Sequence, residues 1–260
     1  MIQYKILPAG FFHADGGAMF GAVPKRAWNR KFPSDEQNCC ILAMNCVLVW
    51  NENRIAVLDT GVGTKGLGKR AYYRFFDLND IVDLIRLQGF EPEQVTDVVL
   101  SHLHFDHCGG CTYIDKSGNL QITFPEAKHY VGKSQWENYL NPNALEKDSY
   151  RKEDMELIEK QGLLQKIDTD SELFRDFQLT LCDGHTKGQL VSSFMSENEL
   201  TVFPGDVIPT QAHLSNEWIS AYDTHPLDSL EAKLKIKKMI ENQSAKMIFY
   251  HDAKKTVSFI

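Results

Sequence analysis

Apolar residues along the chain fall into short, dense runs bounded by turn residues. CILAMNCVLVW (40–50) is continuously apolar, NENR reads as a turn, and IAVLDTG (55–61) returns. That pattern predicts a hairpin whose second strand ends at Asp59-Thr60-Gly61. YKIL (4–7) reads as an edge strand and VTDVVLSH (95–102) as a buried one. LNDIVDLIRLQGF instead places apolar residues at 81, 82, 84, 85 and 87, which is helical spacing stopped at Gly89. The second half repeats the style. AKHYVG (127–132) is a strand running into a helix start at KSQWENYL, and FQLTLC and QLVSSFM are strands around a loop holding His185. LTVFPGD is a strand ending on Asp206, SLEAKLKIKKMIENQ an amphipathic helix with apolar residues at 230, 234, 236, 239 and 240, and AKMIFYHD a strand ending on His251.

Two stretches fit this pattern less well. Residues 143–161 are polar, with helical character around EDMELIEKQG, and read as a solvated helix without chemistry. Residues 10–38 are full of Gly and Pro and have no helical period, yet they carry Phe11, Phe12, Met19, Phe20, Trp28 and Phe32. Such a stretch predicts a long loop packed on the core, and functionally a flap that walls a site. There is no linker, repeat or low-complexity tract. Strand-rich halves with interspersed helices predict one α/β domain over residues 1–260.

Composition adds limits. With 260 residues, 43% of them hydrophobic, the chain can bury a substantial core. A formal charge of −7 argues against a nucleic-acid partner, which usually meets a basic face. The N-terminal segment lacks the basic start, long apolar run and cleavage site of a signal peptide. No apolar segment approaches the ~20 residues that span a bilayer. The expectation is a cytoplasmic protein with no membrane partner. Its six cysteines then read as small buried hydrophobes, and Cys108-x-x-Cys111 carries little redox weight.

The chemistry concentrates at strand ends. HLHFDHCGG (102–110) puts three histidines and an aspartate in six positions, directly after a strand. Residues two apart in extended chain project to one side, so His102 and His104 can reach one metal. Asp106 and His107, past a bend, can reach a second. Gly109 and Gly110 read as the tight turn behind them. His185, Asp206 and His251 supply three more ligand-type residues at three further strand ends. Imidazole and carboxylate suit zinc, iron, cobalt or manganese.

HLHFDH matches the H-x-H-x-D-H signature of the metallo-β-lactamase superfamily, and DGHTKGQ, PGD and YHD follow in that family's order. The chain resembles that family over its whole length. The resemblance implies a four-layer αββα sandwich with the site at one edge. It implies one metal on His102, His104 and His185, another on Asp106, His107 and His251, and Asp206 bridging them. Zinc is the first expectation, with iron, manganese or cobalt compatible. Longer blocks, DGGAMFGAVPK, NPNALEKDSY and GDVIPTQAHL with AYDTHPLDS, resemble the predicted quorum-quenching lactonase branch, which acts on N-acyl-homoserine lactones. Two divalent ions bring four positive charges and two aspartates remove two, so with a bridging hydroxide the centre stays positive and suits a carbonyl or phosphoryl oxygen. The expected reaction is attack of that hydroxide on a small-molecule lactone or related carboxylic ester, with Asp106 as the catalytic proton shuttle.

Asp59 and Asp223 are expected to orient ligand histidines from behind. Met19, Phe20, Phe105, His213 and Tyr222 are the candidate substrate-pocket residues. Studied homoserine-lactone hydrolases of the superfamily carry a tyrosine three residues after the bridging aspartate, where this chain has Pro209. Either His213 or Tyr222 takes that role, or the substrate differs. Thioester, phosphotriester and phosphodiester hydrolysis remain rivals within the fold. A metal-binding interaction module is the non-enzyme alternative, and a homodimer stays open. An RNA-processing nuclease is disfavoured by charge, and an exported antibiotic β-lactamase by the missing signal.

Overall fold

The computed structural model describes residues 1–241 and 244–260. In the first half the elements are β1 (Gln3–Asp15), α1 (Gly16–Phe20), α2 (Lys25–Lys31), β2 (Cys39–Trp50), β3 (Ile55–Leu58), α3 (Ile81–Arg86), β4 (Asp97–Val99), α4 (Phe105–Cys108), β5 (Thr112–Ile114), β6 (Leu120–Ile122), β7 (Lys128–Gly132), α5 (Lys133–Leu140), α6 (Lys152–Lys160) and β8 (Leu164–Ile167). In the second half they are β9 (Ser171–Phe174), β10 (Phe177–Cys182), β11 (Gln189–Ser196), β12 (Glu199–Phe203), α7 (Pro226–Ile240), β13 (Ala245–Ile248) and β14 (Val257–Phe259).

Two six-stranded sheets result, in the orders β1-β2-β3-β4-β7-β8 and β14-β13-β12-β11-β10-β9, with β5 and β6 as a separate hairpin. The expected β2–β3 hairpin forms, antiparallel, with Val47 opposite Leu58. β2 is buried almost end to end because both of its faces are covered, which is why its sequence is apolar without alternation. Alternation returns on β11: Leu190 and Phe194 join the core that also holds β2, whereas Val191 packs with Ala232, Ile236 and Ile240 of α7. Helices therefore flank two facing sheets, the αββα sandwich of the metallo-β-lactamase fold.

Three readings need correction. Residues 10–38 are not a structureless loop. β1 continues through Pro8 and Gly10 to Asp15, paired with β2 throughout apart from a register shift between Pro8 and Phe11. Pro8 is tolerated because β1 is an edge strand, and Gly10 adopts φ +134 at the irregularity. Asp15 caps α1 by accepting from the Ala18 amide at 2.8 Å. The solvated helix at 143–161 is in fact α6, with Asp154, Met155 and Ile158 buried. On α7, Leu234 points outward at 47% exposure, while Lys233 is buried and donates to the Trp218 carbonyl. The helix reading reached residues 242 and 243, which lie outside the described residues.

Candidate active site

The seven candidate ligands converge from the C-terminal ends of four strands. His102 and His104 follow β4, Asp106 and His107 lie on α4, His185 follows β10, Asp206 follows β12, and His251 follows β13. α4 begins directly at Phe105, so the chain leaves extended conformation after His104 and turns Asp106 and His107 toward a second position. All seven are 8% exposed or less. They form three overlapping groups, His102–His104–His185, His102–His107–Asp206 and Asp106–His107–His251, whose ligand atoms within each group lie within 4.8 Å of one another.

Asp206 joins the groups. Its Oδ2 lies 3.4 Å from His185 Nε2, and its Oδ1 lies 3.3 Å from His251 Nε2 and 3.5 Å from His107 Nε2. His104 turns Nδ1 to within 3.1 Å of His185 Nε2, and Asp106 Oδ2 stands 3.6 Å from His251 Nε2. Of the atoms that face the cluster, His102 Nε2, His107 Nε2 and Asp206 Oδ1 are buried and have no hydrogen-bond partner. Buried polar atoms are rarely left so. A cage of lone pairs around a shared carboxylate is the donor set that divalent cations fill, so the residues fit divalent metal ions.

The outer nitrogens are held. Asp59 Oδ2 accepts from His107 Nδ1 at 2.8 Å, Asp223 Oδ1 from His185 Nδ1 at 3.0 Å, and the Ala43 carbonyl from His251 Nδ1 at 2.8 Å. Each bond fixes the proton on Nδ1 and leaves Nε2 free as a ligand. Asp59 and Asp223 thus each hold the outer nitrogen of one candidate ligand histidine. Ser101, which sequence reasoning missed, links two ligands: its Oγ donates to Asp59 Oδ2 at 2.7 Å and lies 3.1 Å from His102 Nδ1. Asp59 itself sits at φ +54, a strained conformation for a side-chain-bearing residue. Tyr250, also missed, donates to the Asp106 carbonyl at 2.5 Å and stacks on His107 at 4.1 Å between ring centroids.

Electrostatics separates the histidines. Burial, reinforced by neighbouring imidazoles, holds His102 and His104 well below the usual histidine range and so neutral. His107 is equally buried, but Asp206, Asp106 and Asp59 together outweigh that penalty and raise it. Burial also opposes ionisation of Asp206, yet the flanking His251 and His107 hold it well below the usual carboxylate range.

A pocket of about 200 Å³ opens over the ligands, lined by Phe12, Met19, Tyr73, Phe105, Pro209 and Tyr222 among others. Met19, Phe105 and Tyr222 were expected there, and Phe12, Ala14 and Met19 bring the 10–38 stretch to its wall. Phe20 and His213 are corrections. Phe20 is fully buried, stacked between Trp28 at 5.1 Å and His213 at 5.0 Å. His213 is 1% exposed, pairs Nδ1 with Thr210 Oγ1 at 2.7 Å and donates from Nε2 to the Met19 carbonyl at 3.0 Å. Both nitrogens are spent behind the wall, so His213 supports the pocket without lining it. A larger cavity, about 520 Å³, opens near Asp80, Asp83 and Ile122, but none of the seven ligands lines it. Convergent polar groups matter more than volume here, so the chemistry belongs to the smaller pocket.

The sequence model described as "Metallo-beta-lactamase superfamily" matches residues 42–251. The chain belongs to the metallo-beta-lactamase superfamily. Within it, an N-acyl homoserine lactonase AttM from Rhizobium johnstonii is 25% identical over 178 residues, 66% of this chain and 63% of that protein. This chain therefore aligns with less than two thirds of that relative's length. An N-acyl homoserine lactonase from Bacillus sp. is 26% identical over 226 residues, 80% of each chain. Among solved structures, a probable metal-dependent hydrolase from Staphylococcus aureus superposes with a TM-score of 0.91 at 26% identity, covering 99% of this chain and 92% of that one. The dizinc quorum-quenching lactonase AidC, in complex with a product, gives 0.75 at 22% identity over 99% of this chain and 90% of its own, a likeness of fold. Among the described residues no helix is long and apolar enough to cross a membrane.

Proposed function

We propose that this protein is a dinuclear metal-dependent hydrolase of lactones or related carboxylic esters. The observation that carries the reading is Asp206, whose two oxygens face two different donor groups. His102, His104 and His185 would hold one ion, and Asp106, His107 and His251 the other, with Asp206 shared. Two divalent ions, zinc first among them, supply Lewis acidity and a hydroxide source at neutral pH.

The chain's own residues do the rest. Asp59, Ser101 and Asp223 keep three imidazole edges aimed inward, those of His107, His102 and His185. Phe12, Met19 and Phe105 keep water off the reacting ester and give an acyl group an apolar wall. Asp106 lines the pocket and is the group placed to pass a proton to the leaving oxygen. Tyr222 shares the pocket wall with Pro209, so of the two replacements for the absent tyrosine it is the one in reach of a substrate carbonyl. The lactonase relatives support a lactone as that ester. Six unpaired thiols suit a cytoplasmic setting.

The test is metal content together with turnover of a panel of acyl-homoserine lactones, simple lactones, aryl esters, thioesters and phosphate esters. Two metal equivalents with lactones or carboxylic esters turned over fastest is the expected result. Phosphotriesters or phosphodiesters cleaved far faster would overturn the ester assignment. Two equivalents with no turnover of any substrate would point to a metal-binding module, and a fully active His104→Ala variant would sink the metal mechanism.

A further inference from the structure

A second cluster of charged residues lies wholly inside the protein, behind the turn that carries Asp106 and His107. The side chains of Lys65, Arg151 and Asp154 are 4%, 3% and 0% exposed. Asp154 pairs through Oδ1 with Lys65 Nζ at 3.1 Å and through Oδ2 with Arg151 Nε at 2.6 Å. The two cations spend their remaining donors on backbone carbonyls. Lys65 Nζ reaches Gly109 O at 2.5 Å and also Thr112 O. Arg151 Nη2 reaches Val62 O at 3.0 Å and Phe105 O at 3.4 Å, and Nη1 reaches Lys65 O at 2.7 Å. Carbonyls at 105, 109 and 112 bracket Asp106 and His107, while those at 62 and 65 belong to the loop that follows Asp59. A Cβ on Gly109 would stand 2.3 Å from Arg151 Nη2 and 2.2 Å from Val62 O, so glycine there lets the guanidinium and the loop close in.

Burying three charges is weak evidence for stability, since apolar replacements of buried ion pairs are often as stable. What such a cluster does supply is fixed geometry. The 102–104 segment has its own anchor, because the Leu103 amide donates to Gln135 Oε1 at 3.1 Å and Gln135 Nε2 is tied to Tyr150 and Thr186. The two donor groups are thus held from behind by separate devices.

We propose that Lys65, Arg151 and Asp154 form a buried clamp that positions Asp106 and His107, and that this clamp sets how tightly the Asp106–His107–His251 group holds its ion while leaving the His102–His104–His185 group intact. The proposal rests on the two-metal reading. These are positioning residues, acting through the turn and touching neither ion nor substrate.

The test is titration of metal-free protein with cobalt(II), followed by d–d absorption. Wild type should take up two tight equivalents. Lys65→Met removes the donors to Gly109 O and Thr112 O but keeps the Arg151–Asp154 pair. It should keep the first equivalent and bind the second roughly tenfold to hundredfold more weakly, with an unchanged far-ultraviolet circular dichroism spectrum. Lys65→Gln retains two N–H donors and should recover part of the loss, and it serves as the deciding variant if Lys65→Met does not fold. Two equivalents of wild-type affinity and spectrum in the variant that folds would overturn the clamp alone. A single equivalent in wild type would overturn the two-metal reading and the clamp's role with it.

Discussion

His129 offers a test of how burial tunes this fold outside the metal cage. It sits on β7, is 0% exposed, donates from Nδ1 to the Ala127 carbonyl at 3.1 Å, and has no partner for Nε2. Burial pushes its pKa down from 6.5 to about 4. The unfolded chain binds a proton near the ordinary value, whereas the folded chain refuses it until the lower one. Stability is therefore unaffected above that ordinary value, falls as pH drops through the window from 6.5 to about 4, and levels off below it. The whole window corresponds to roughly 3 kcal/mol, of which roughly 2 kcal/mol is lost between about pH 7 and pH 5. His129→Leu removes the titrating group together with an unsatisfied nitrogen, so its stability at neutral pH should change little. Urea unfolding of metal-free wild type and variant at both pH values isolates the term, because the other histidines titrate in both proteins. Wild type should lose about 2 kcal/mol more than the variant. Equal losses would refute the argument that buried His129 stays neutral in the folded state.

Three further outcomes follow from the site. Asp59→Asn weakens the hold on His107 and on Ser101, and Asp223→Asn the hold on His185; each should lower metal affinity roughly tenfold to hundredfold, read by competition with a chromophoric chelator. Gly110→Ala would place a Cβ 2.3 Å from the Thr60 carbonyl, backbone against backbone, and should cost about 1–3 kcal/mol in thermal or urea unfolding. Removing metal with a chelator should abolish hydrolysis and lower the unfolding midpoint, with about 4 kcal/mol regained when an ion is restored at a thousandfold its Kd.

The convergence of the seven candidate ligands was legible because it is written locally. Four ligand-type residues in six positions, and single ligand-type residues at strand ends, need no knowledge of distant contacts. Asp59 was legible for the same reason, as a carboxylate closing a strand. The wall of the pocket was not. Phe20 and His213 lie far apart in sequence and read as pocket-lining residues, yet they stack on each other behind Met19. The 10–38 stretch misled because Pro8 and Gly10 stand at its entrance, while pairing with β2 carries the strand past both. Gly109 was expected to serve a tight turn. Its φ of −61 is ordinary for any residue, and what requires glycine is the close approach of Val62 and Arg151. Asp154 fell within a stretch read as a solvated helix because its pairing with Lys65 spans distant segments that only the tertiary fold brings together.

The division of the ligands between the two sheets has a consequence for how the molecule is made. The H-x-H-x-D-H turn grows from the first sheet, whereas His185, Asp206 and His251 all grow from the second. A nascent chain with only its first sheet complete would display three imidazoles and a carboxylate that nothing closes. The seven candidate ligands come together only when the second sheet docks, and the last of them in sequence is His251. On the proposed two-metal reading, ion capture follows that docking. Uptake of metal during refolding should trail the appearance of secondary structure and keep time with the joining of the two halves.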